Sequence, residues 1–141
     1  MALLLTGGQV QESTQLDALL DAIAVPKPDG RGPVRRRPDR VIADRGYSYR
    51  RCRETLRRRR IAHVIPERRD QIAVRSRRPG RKPSFDRTIY ARRNVVERCM
   101  ARLKQWRGIA TRFEKRAAQF RAMVVIAALM IWLTTDSSDT P

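Results

Sequence analysis

The sequence contains few of the side chains that build zinc sites and nucleophilic catalytic sites. It has two cysteines, Cys52 and Cys99, and a single histidine, His63, among 141 residues. With so few of these residues, we expect neither a structural zinc site nor a Ser-His or Cys-His catalytic pair. The two cysteines lie far apart in separate predicted helices, which excludes a disulfide framework and fits the interior of a cell.

Long apolar runs are also absent. The longest, residues 122–133, is shorter than the roughly 18 residues that a membrane-spanning helix requires, so we expect it to be buried in protein. Residues 2–5 are apolar but too few for the core of a secretory leader. We interpret them as a buried strand, and a strand with no preceding hairpin partner predicts a chain that starts inside a larger fold.

Acidic residues are scarce relative to basic ones. The chain has 32 Lys and Arg residues against 14 Asp and Glu, a formal charge of +18 and a sequence pI of about 11.6. The expected partner is a polyanion, and the planar fork of arginine favours phosphate. The basic residues run through the middle of the chain and do not form one amphipathic helix, so nucleic acid is favoured over a membrane surface.

The length suits one domain, for which we predict residues 1–133 with a disordered tail at 134–141. A capping-box pattern at Thr14 predicts a helix, and the proline- and glycine-rich residues 25–38 predict an exposed basic loop. A βαβ unit follows, with parallel strands and a right-handed crossover. Its predicted elements are a strand at 41–43, a helix at 49–60 and a strand at 61–65. The fold class is therefore α/β.

Asp44 directly follows the first of these strands. Ligands of parallel sheets gather beyond the carboxyl ends of the strands, so Asp44 is a candidate site residue. The alternative is an aspartate that shapes a turn or a helix start, and Ser48 is a plausible N-cap for the helix behind it. Residues 66–86 form a long basic segment that we predict to be irregular.

Residues 90–106 are predicted to form one amphipathic helix. At about 100° per residue, its polar face gathers four side chains inside a wedge of roughly 60°. These are Tyr90, Arg93, Glu97 and Lys104. An apolar stripe on the other side, which includes Trp106, is predicted to pack in the core, and Gly108 is expected to end the helix. The alternative is a charged face that is merely solvated. A last helix, from about Phe113 through the apolar run, completes the chain.

Asp44 and Glu97 are the carboxylates that a βαβ sheet and a facing helix can bring together. Carboxylate oxygens are the ligands that Mg²⁺ prefers, and two ions can act on the attacking and leaving oxygens of phosphoryl transfer. Arg93 and Lys104 would then bind substrate phosphates, and Tyr90 would stack on a base. The competing interpretation is a basic nucleic-acid-binding protein in which these acids only balance neighbouring arginines.

Two motifs resemble a known family. The spacing of Tyr90, Arg93, Glu97 and Lys104 is similar to the Y-R-E-K signature of bacterial insertion-sequence transposases with a DDE active site. Residues 41–47, a strand that ends in Asp44 followed by Arg, Gly and Tyr, resemble the second-aspartate motif of the same family. The resemblance extends over nearly the whole chain.

The resemblance implies a ribonuclease H-like fold in which three acids bind two divalent ions, Mg²⁺ or Mn²⁺. It implies that Asp44 is the second acid and Glu97 the third, and that Tyr90, Arg93 and Lys104 contact DNA near the cleaved end. The implied reaction cuts transposon ends and joins the free 3′ hydroxyl to target DNA in the bacterial cytoplasm.

The first acid of the family has no counterpart in this sequence, because no aspartate before Asp44 follows an apolar strand. We therefore expect an incomplete ribonuclease H-like fold, a short mainly parallel sheet with flanking helices and a long C-terminal apolar helix. We also expect no nuclease activity from the chain alone. A truncated copy, the second frame of a frameshifted transposase and a decaying gene remnant remain open. The possible partners are an upstream transposase part or further copies of the chain.

Overall fold

A computed structural model describes residues 2–77, 80 and 83–134 of the chain. The chain divides into two compact units, Met1–Arg93 and Asn94–Pro141. The first unit holds strands β1 (Arg40–Ile42) and β2 (Ala62–Val64) and helices α1 (Leu16–Asp21), α2 (Arg50–Arg58), α3 (Arg69–Ser76) and α4 (Arg87–Ala91). The second unit holds helices α5 (Asn94–Lys104), α6 (Arg107–Ala110) and α7 (Ala117–Thr134). The predicted tail, apart from Thr134, lies outside the described residues.

The two strands of the first unit run parallel, with Arg40 opposite Ala62 and Ile42 opposite Val64. Parallel neighbours cannot be joined by a tight hairpin, and here α2 makes the crossover. The predicted βαβ unit with parallel strands is thus confirmed, and with it the α/β class in the form of a short parallel pair with helices.

The core of the first unit lies between α1, α2 and the sheet. Its buried cluster consists of Leu16, Leu20, Cys52, Leu56, Ile61 and Ile65. Leu56 and Ile65 are the most deeply buried large side chains, and removing each from water is worth about 1.5–3 kcal/mol. The same burial raises the pKa of the Cys52 thiol, and both Cys52 and Cys99 are free.

The helix predicted from the Thr14 capping box is present as α1, but the cap is wrong. Residues Glu12–Gln15 form a 3₁₀ turn ahead of α1, and the Thr14 hydroxyl donates to the carbonyl of Gln11 at 2.7 Å. The helix is held from the other side of the core, where the Arg59 guanidinium pairs with Asp17 at 3.1 Å and with Asp21. The hydrogen bond from Arg59 lowers the pKa of the Asp21 carboxyl group.

The buried strand predicted at residues 2–5 does not form. In the described part of the chain these residues have no regular structure, and Leu4 and Leu5 are exposed. A strand needs a neighbour to pair its backbone N–H and carbonyl groups, and β1 and β2 are paired only with each other. The exposed basic loop at 25–38 is present, closed by a single bridge between Val25 and Arg35.

The prediction that residues 66–86 are irregular is wrong for part of the segment, since α3 occupies Arg69–Ser76. Side-chain hydrogen bonds, and not the packing of an apolar face, stabilise this helix. The Gln71 amide accepts from the N–H of Arg68 at 3.3 Å, and Arg75 makes two hydrogen bonds to Glu67 at 3.0 and 3.1 Å. The remainder of the segment that the structure describes has no helix or strand before Arg87.

The single helix predicted for residues 90–106 is also wrong, because the chain turns between α4 and α5. The N–H groups of Arg92 and Arg93 bond to carbonyls three residues back, Ile89 and Tyr90, instead of four. These bonds tighten the backbone into a turn, and α5 starts afresh at Asn94. The predicted polar face is consequently divided, and its four residues do not share one helix.

The second unit packs α5, α6 and α7 together, with Leu103, Val124 and Ala127 buried. Gly108 lies within α6 and does not end a helix at 106 as expected. A Cβ there would lie 2.9 Å from the Met123 sulfur, so a larger residue would require the Met123 side chain to shift. Helix α7 begins at Ala117, four residues later than predicted.

Two predictions about burial are wrong in the second unit. Most of the predicted apolar stripe of residues 90–106 is exposed, and most of residues 122–133 are not buried. The exposed apolar side chains include Val95, Val96, Met100, Trp106, Ile126, Leu129, Trp132 and Leu133. A helix that is apolar on all sides can bury only the side that meets a neighbouring helix, which explains why α7 buries Val124 and Ala127 alone. By length and composition only, α7 is apolar enough to cross a membrane.

We predict that Leu56→Ala destabilises the chain by about 2–5 kcal/mol, because it removes a fully buried side chain and leaves a cavity. Urea unfolding followed by circular dichroism measures the change. Leu133→Ala is the matched control: it makes the same substitution where the side chain is 63% exposed, and it should change stability by less than about 0.5 kcal/mol. Equal effects of the two substitutions would contradict the proposed core.

Candidate functional site

The candidate site lies at the edge where β1 and β2 end, which we call the carboxyl edge. The N–H of Ala43 donates to the carbonyl of Val64 at 3.2 Å, so the ladder continues to the residue before Asp44. Asp44 is therefore the first side chain beyond the strand, and it is partly exposed. This is the position in which parallel sheets present ligand-binding groups.

Asp44 also shapes the turn that follows. Its Oδ1 accepts a hydrogen bond from the N–H of Gly46 at 2.8 Å, and the residues Arg45–Tyr47 form a 3₁₀ turn behind it. A Cβ at position 46 would lie 2.9 Å from the same oxygen, so glycine lets the carboxylate fold over the turn. The turn-forming role that the sequence left open is thus observed.

Arg93, from the far end of the first unit, approaches Asp44, and Tyr90 lies beside Arg93. The guanidinium of Arg93 lies 3.9 Å from Asp44 Oδ2 and 5.9 Å from the centre of the Tyr90 ring. Tyr90 in turn packs against Phe85, with ring centres 5.2 Å apart. The Asp86 carboxylate caps α4 by accepting from the N–H of Ile89 at 3.0 Å, which sets the helix that carries Tyr90.

The remaining predicted residues belong to the second unit. Glu97 and Lys104 are exposed on α5, seven positions apart, so they lie within about 20° of each other around the helix. The two residues share a face of α5, as predicted, while Tyr90 belongs to α4 and Arg93 to the turn before α5. Whether Glu97 acts together with Asp44 stays a prediction. Trp106, predicted to be core, is 42% exposed.

The sequence interpretation missed a polar cluster behind the carboxyl edge. Ser48 does not cap α2: its hydroxyl accepts from Arg68 Nε at 3.2 Å, and its carbonyl accepts from the Gln71 amide at 3.1 Å. The Arg68 guanidinium stacks over the Tyr49 ring at 4.1 Å. These contacts attach α3 to the start of α2. They join residues that are far apart in the chain, so no local sequence pattern predicts them.

Charge and burial are unusual at two side chains near this edge. Arg53 is buried and donates to the carbonyl of Ile65 at 2.9 Å, and burial lowers the pKa of its guanidinium. The pKa of Tyr47 is raised by burial and, to a lesser degree, by the carboxylates of Glu12 and Asp44. Arg53 thus donates a hydrogen bond to the backbone that follows β2, and the raised pKa favours the protonated phenol of Tyr47.

The described residues do not by themselves fit a divalent metal. Within residues 2–77, 80 and 83–134, no three His, Cys, Asp or Glu side chains are grouped so that they could hold an ion. At the carboxyl edge Asp44 is a suitable oxygen ligand, but one of its oxygens is directed at a backbone N–H and the other faces Arg93. A complete site needs additional carboxylates.

Comparison with known proteins identifies the family. The family model of the transposase DDE domain matches residues 1–133, and the chain therefore belongs to this family. Among curated proteins it is similar to one of Burkholderia cepacia whose name describes it as a transposase for insertion sequence element IS402. The two are 36% identical over 140 residues, which are 99% of this chain. The chain spans 60% of the length of that relative. No solved structure matches the chain.

These findings confirm that the chain resembles bacterial insertion-sequence DDE transposases, as the two sequence motifs indicated. The roles of Asp44, Glu97, Tyr90, Arg93 and Lys104 are not tested by the family match and remain predictions. Divalent metals are generally used by DDE transposases.

We predict that Asp44→Ala speeds hydrogen exchange at the Gly46 amide and costs about 0.5–2 kcal/mol, because the turn loses its side-chain acceptor. Asp44→Asn is the matched control: its side-chain carbonyl oxygen can still accept from Gly46, and only the charge is lost. Exchange followed by NMR should be slow in Asp44→Asn and fast in Asp44→Ala. Fast exchange in both variants would show that the turn depends on the charge.

Proposed function

We propose that the chain forms the C-terminal part of the catalytic domain of a DNA transposase, an incomplete ribonuclease H-like fold. It binds DNA and, within a complete domain, takes part in cutting transposon ends and in transferring the 3′ hydroxyl to target DNA. DNA is the partner that transposase activity requires, and a family match over residues 1–133 supports this class of function. Such a protein acts in the bacterial cytoplasm.

The proximity of Asp44, Tyr90 and Arg93 is the observation that carries the proposal. The second-aspartate motif and the start of the Y-R-E-K signature are far apart in the chain, yet Arg93 lies against both Asp44 and Tyr90. An arginine beside a carboxylate at a carboxyl edge supports a role in positioning a DNA phosphate, since a guanidinium can bind two phosphate oxygens at once. Tyr90 presents a ring on which a base can stack.

Glu97 and Lys104 complete the proposed signature. Both are exposed on one face of α5, so a carboxylate and an ammonium are available on the same side of that helix. We propose that Asp44 and Glu97 provide two of the three acids of the family's metal site, and that Lys104 contacts DNA phosphate. Mg²⁺ or Mn²⁺, when bound in a complete domain, would supply the charge stabilisation of phosphoryl transfer. The remaining acid, the first of the family's three, would come from elsewhere in a complete domain.

We predict that Arg93→Gln weakens binding of the chain to duplex DNA about five- to tenfold, because a charged phosphate contact at the carboxyl edge is lost. Fluorescence anisotropy with a labelled duplex measures the dissociation constant. The neighbouring residue provides the control: Arg92 is exposed and carries the same charge, and Arg92→Gln should change affinity less than twofold. Equal losses in the two variants would leave only a general effect of charge.

We also predict that the isolated chain neither nicks nor joins DNA with Mg²⁺ or Mn²⁺ present, because the described carboxylates do not form a three-ligand group. Plasmid nicking and strand-transfer gels provide the measurement. Robust cleavage by the wild-type chain that disappears in Glu97→Gln would contradict the incompleteness of the active site. Cleavage that is equal in both proteins would indicate a contaminating nuclease.

The second candidate function is a basic nucleic-acid-binding protein without catalytic activity. The contacts of Asp44 favour it, since one oxygen holds a turn and the other faces an arginine. For such a protein, DNA affinity would be indifferent to Mg²⁺ and would fall with salt according to the phosphates neutralised. Isothermal titration that detects Mg²⁺ or Mn²⁺ binding in the wild-type chain, but not in Asp44→Asn or Glu97→Gln, would exclude this candidate.

A further inference from the structure

The opposite edge of the sheet, where β1 and β2 begin, carries a concentration of arginines that the proposed active site does not use. We call it the amino edge. The chain leaves α2 at Arg58 and enters β2 at Ala62, so the C-terminal turn of α2 lies at this edge. The N–H of Ala62 donates to the carbonyl of Asp39 at 3.2 Å, which brings the end of the basic loop to the same place.

Three parts of the chain therefore meet at the amino edge: the loop before β1, the start of β1, and the turn between α2 and β2. The arginines that they expose are Arg36, Arg37, Arg40, Arg57, Arg58 and Arg60. Arg60 adopts a left-handed conformation, with φ of 55°, and its N–H closes a tight turn on the carbonyl of Arg57 at 2.9 Å. This turn thus fixes the backbone that carries Arg57, Arg58 and Arg60.

The nearby carboxylates are already paired with other arginines. Asp39 pairs with Arg35, and Asp17 and Asp21 pair with Arg59. Among the described residues, no carboxylate oxygen lies within 4.0 Å of the guanidinium of Arg36, Arg37, Arg40, Arg57 or Arg60, and Arg58 reaches Asp17 only at that limit. The C-terminal end of α2 attracts cations, but with only about half an elementary charge. A positive excess remains.

Positive charge in this region affects the pKa values of neighbouring groups. Burial lowers the pKa of His63 on β2, and the charges of Arg53 and then of Arg57 add to that effect. Burial also lowers the pKa of Arg53, and the charge of Arg57 adds to it. Like charges held together on a folded surface oppose folding, and an anionic partner removes that cost. A surface of guanidinium groups on a rigid backbone is suited to phosphate oxygens, which accept two parallel hydrogen bonds from one arginine.

We propose that the amino edge is a second DNA-binding surface, which binds the phosphate backbone of duplex DNA without reading its sequence. It is distinct from the carboxyl edge that holds Asp44, and it rests on the proposed function as a DNA-binding protein. Duplex DNA is favoured over an anionic membrane because the arginines come from a loop, a strand and a helix end. The apolar side chains of α2, Cys52 and Leu56, are buried in the core, so they cannot insert into lipid as those of an amphipathic membrane helix do.

The test compares two triple variants of the full chain that lose the same charge. R40Q/R57Q/R60N removes the amino edge, with asparagine at position 60 because it tolerates the left-handed conformation. R51Q/R69Q/R77Q removes exposed arginines from the first turn of α2 and from α3 and its C-cap, all beyond the amino edge. Circular dichroism melting establishes that both variants are folded.

DNA affinity is measured by anisotropy on a labelled duplex of random sequence over a range of salt concentrations. For the amino-edge variant we predict a slope of log K against log salt that is smaller by about 2–3, since each phosphate contact contributes about 0.9. The control variant should change the slope by less than about 1. Equal changes in the two variants, or a larger change in the control, would overturn the proposal.

Two further measurements keep the result unambiguous. R36Q/R37Q changes only the exposed loop, so it tests the same surface without touching β1 or α2, and its slope should fall by about 1–2. Sedimentation with phosphatidylserine vesicles tests the membrane: loss of vesicle binding with unchanged DNA binding in the amino-edge variant would overturn the proposal. If the wild-type chain does not bind duplex DNA at all, the proposed function itself fails. If it binds and the variants behave alike, only the amino-edge surface fails.

Discussion

Parallel pairing of β1 with β2 is the constraint on which the first unit depends. Three residues on each strand provide few backbone hydrogen bonds, and a pair this short is not stable alone. The crossover supplies what is missing, because α2 lays Leu56 against the sheet and Ile65 closes the core from beyond β2. The same connection determines polarity. Both strands end at the carboxyl edge, where Asp44 lies, and the C-terminal end of α2 lies at the opposite edge.

The arginines of this chain have two kinds of role. Some are used within the fold: buried Arg53 holds the backbone after β2, Arg59 joins α2 to α1, and Arg75 pairs with Glu67. These contacts stabilise the fold where a less basic protein would use apolar side chains. The buried Arg53 depends on its hydrogen bond to offset the cost of desolvation. The remaining exposed arginines have few acids to pair with, since the chain has 14 Asp and Glu residues against 32 Lys and Arg. Their excess charge is available for DNA.

The turn at Arg92 and Arg93 separates the parts of the proposed signature. Tyr90 and Arg93 belong with Asp44 in the first unit, while Glu97 belongs to α5 in the second. The joint action of Asp44 and Glu97 therefore remains a prediction.

The family, the α/β class, the βαβ unit and the position of Asp44 after β1 could all be predicted from the sequence. These properties depend on local patterns: an apolar run followed by aspartate and glycine, a basic helix, and a second apolar run. The same local reasoning predicted the wrong cap for α2, because the hydroxyl of Ser48 is taken by Arg68, which lies twenty residues further along the chain.

Tertiary structure decided the rest. Helical periodicity placed Tyr90, Arg93, Glu97 and Lys104 on one face, but periodicity assumes an uninterrupted helix. Contacts of Tyr90 with Phe85 and of Arg93 with Asp44 accompany a turn that interrupts it. Sequence alone determined which residue types this protein has for binding phosphate and metal. Which of them meet at one edge of the sheet depended on contacts between distant segments, since backbone hydrogen bonds and ion pairs of that kind leave no periodic signal in the chain.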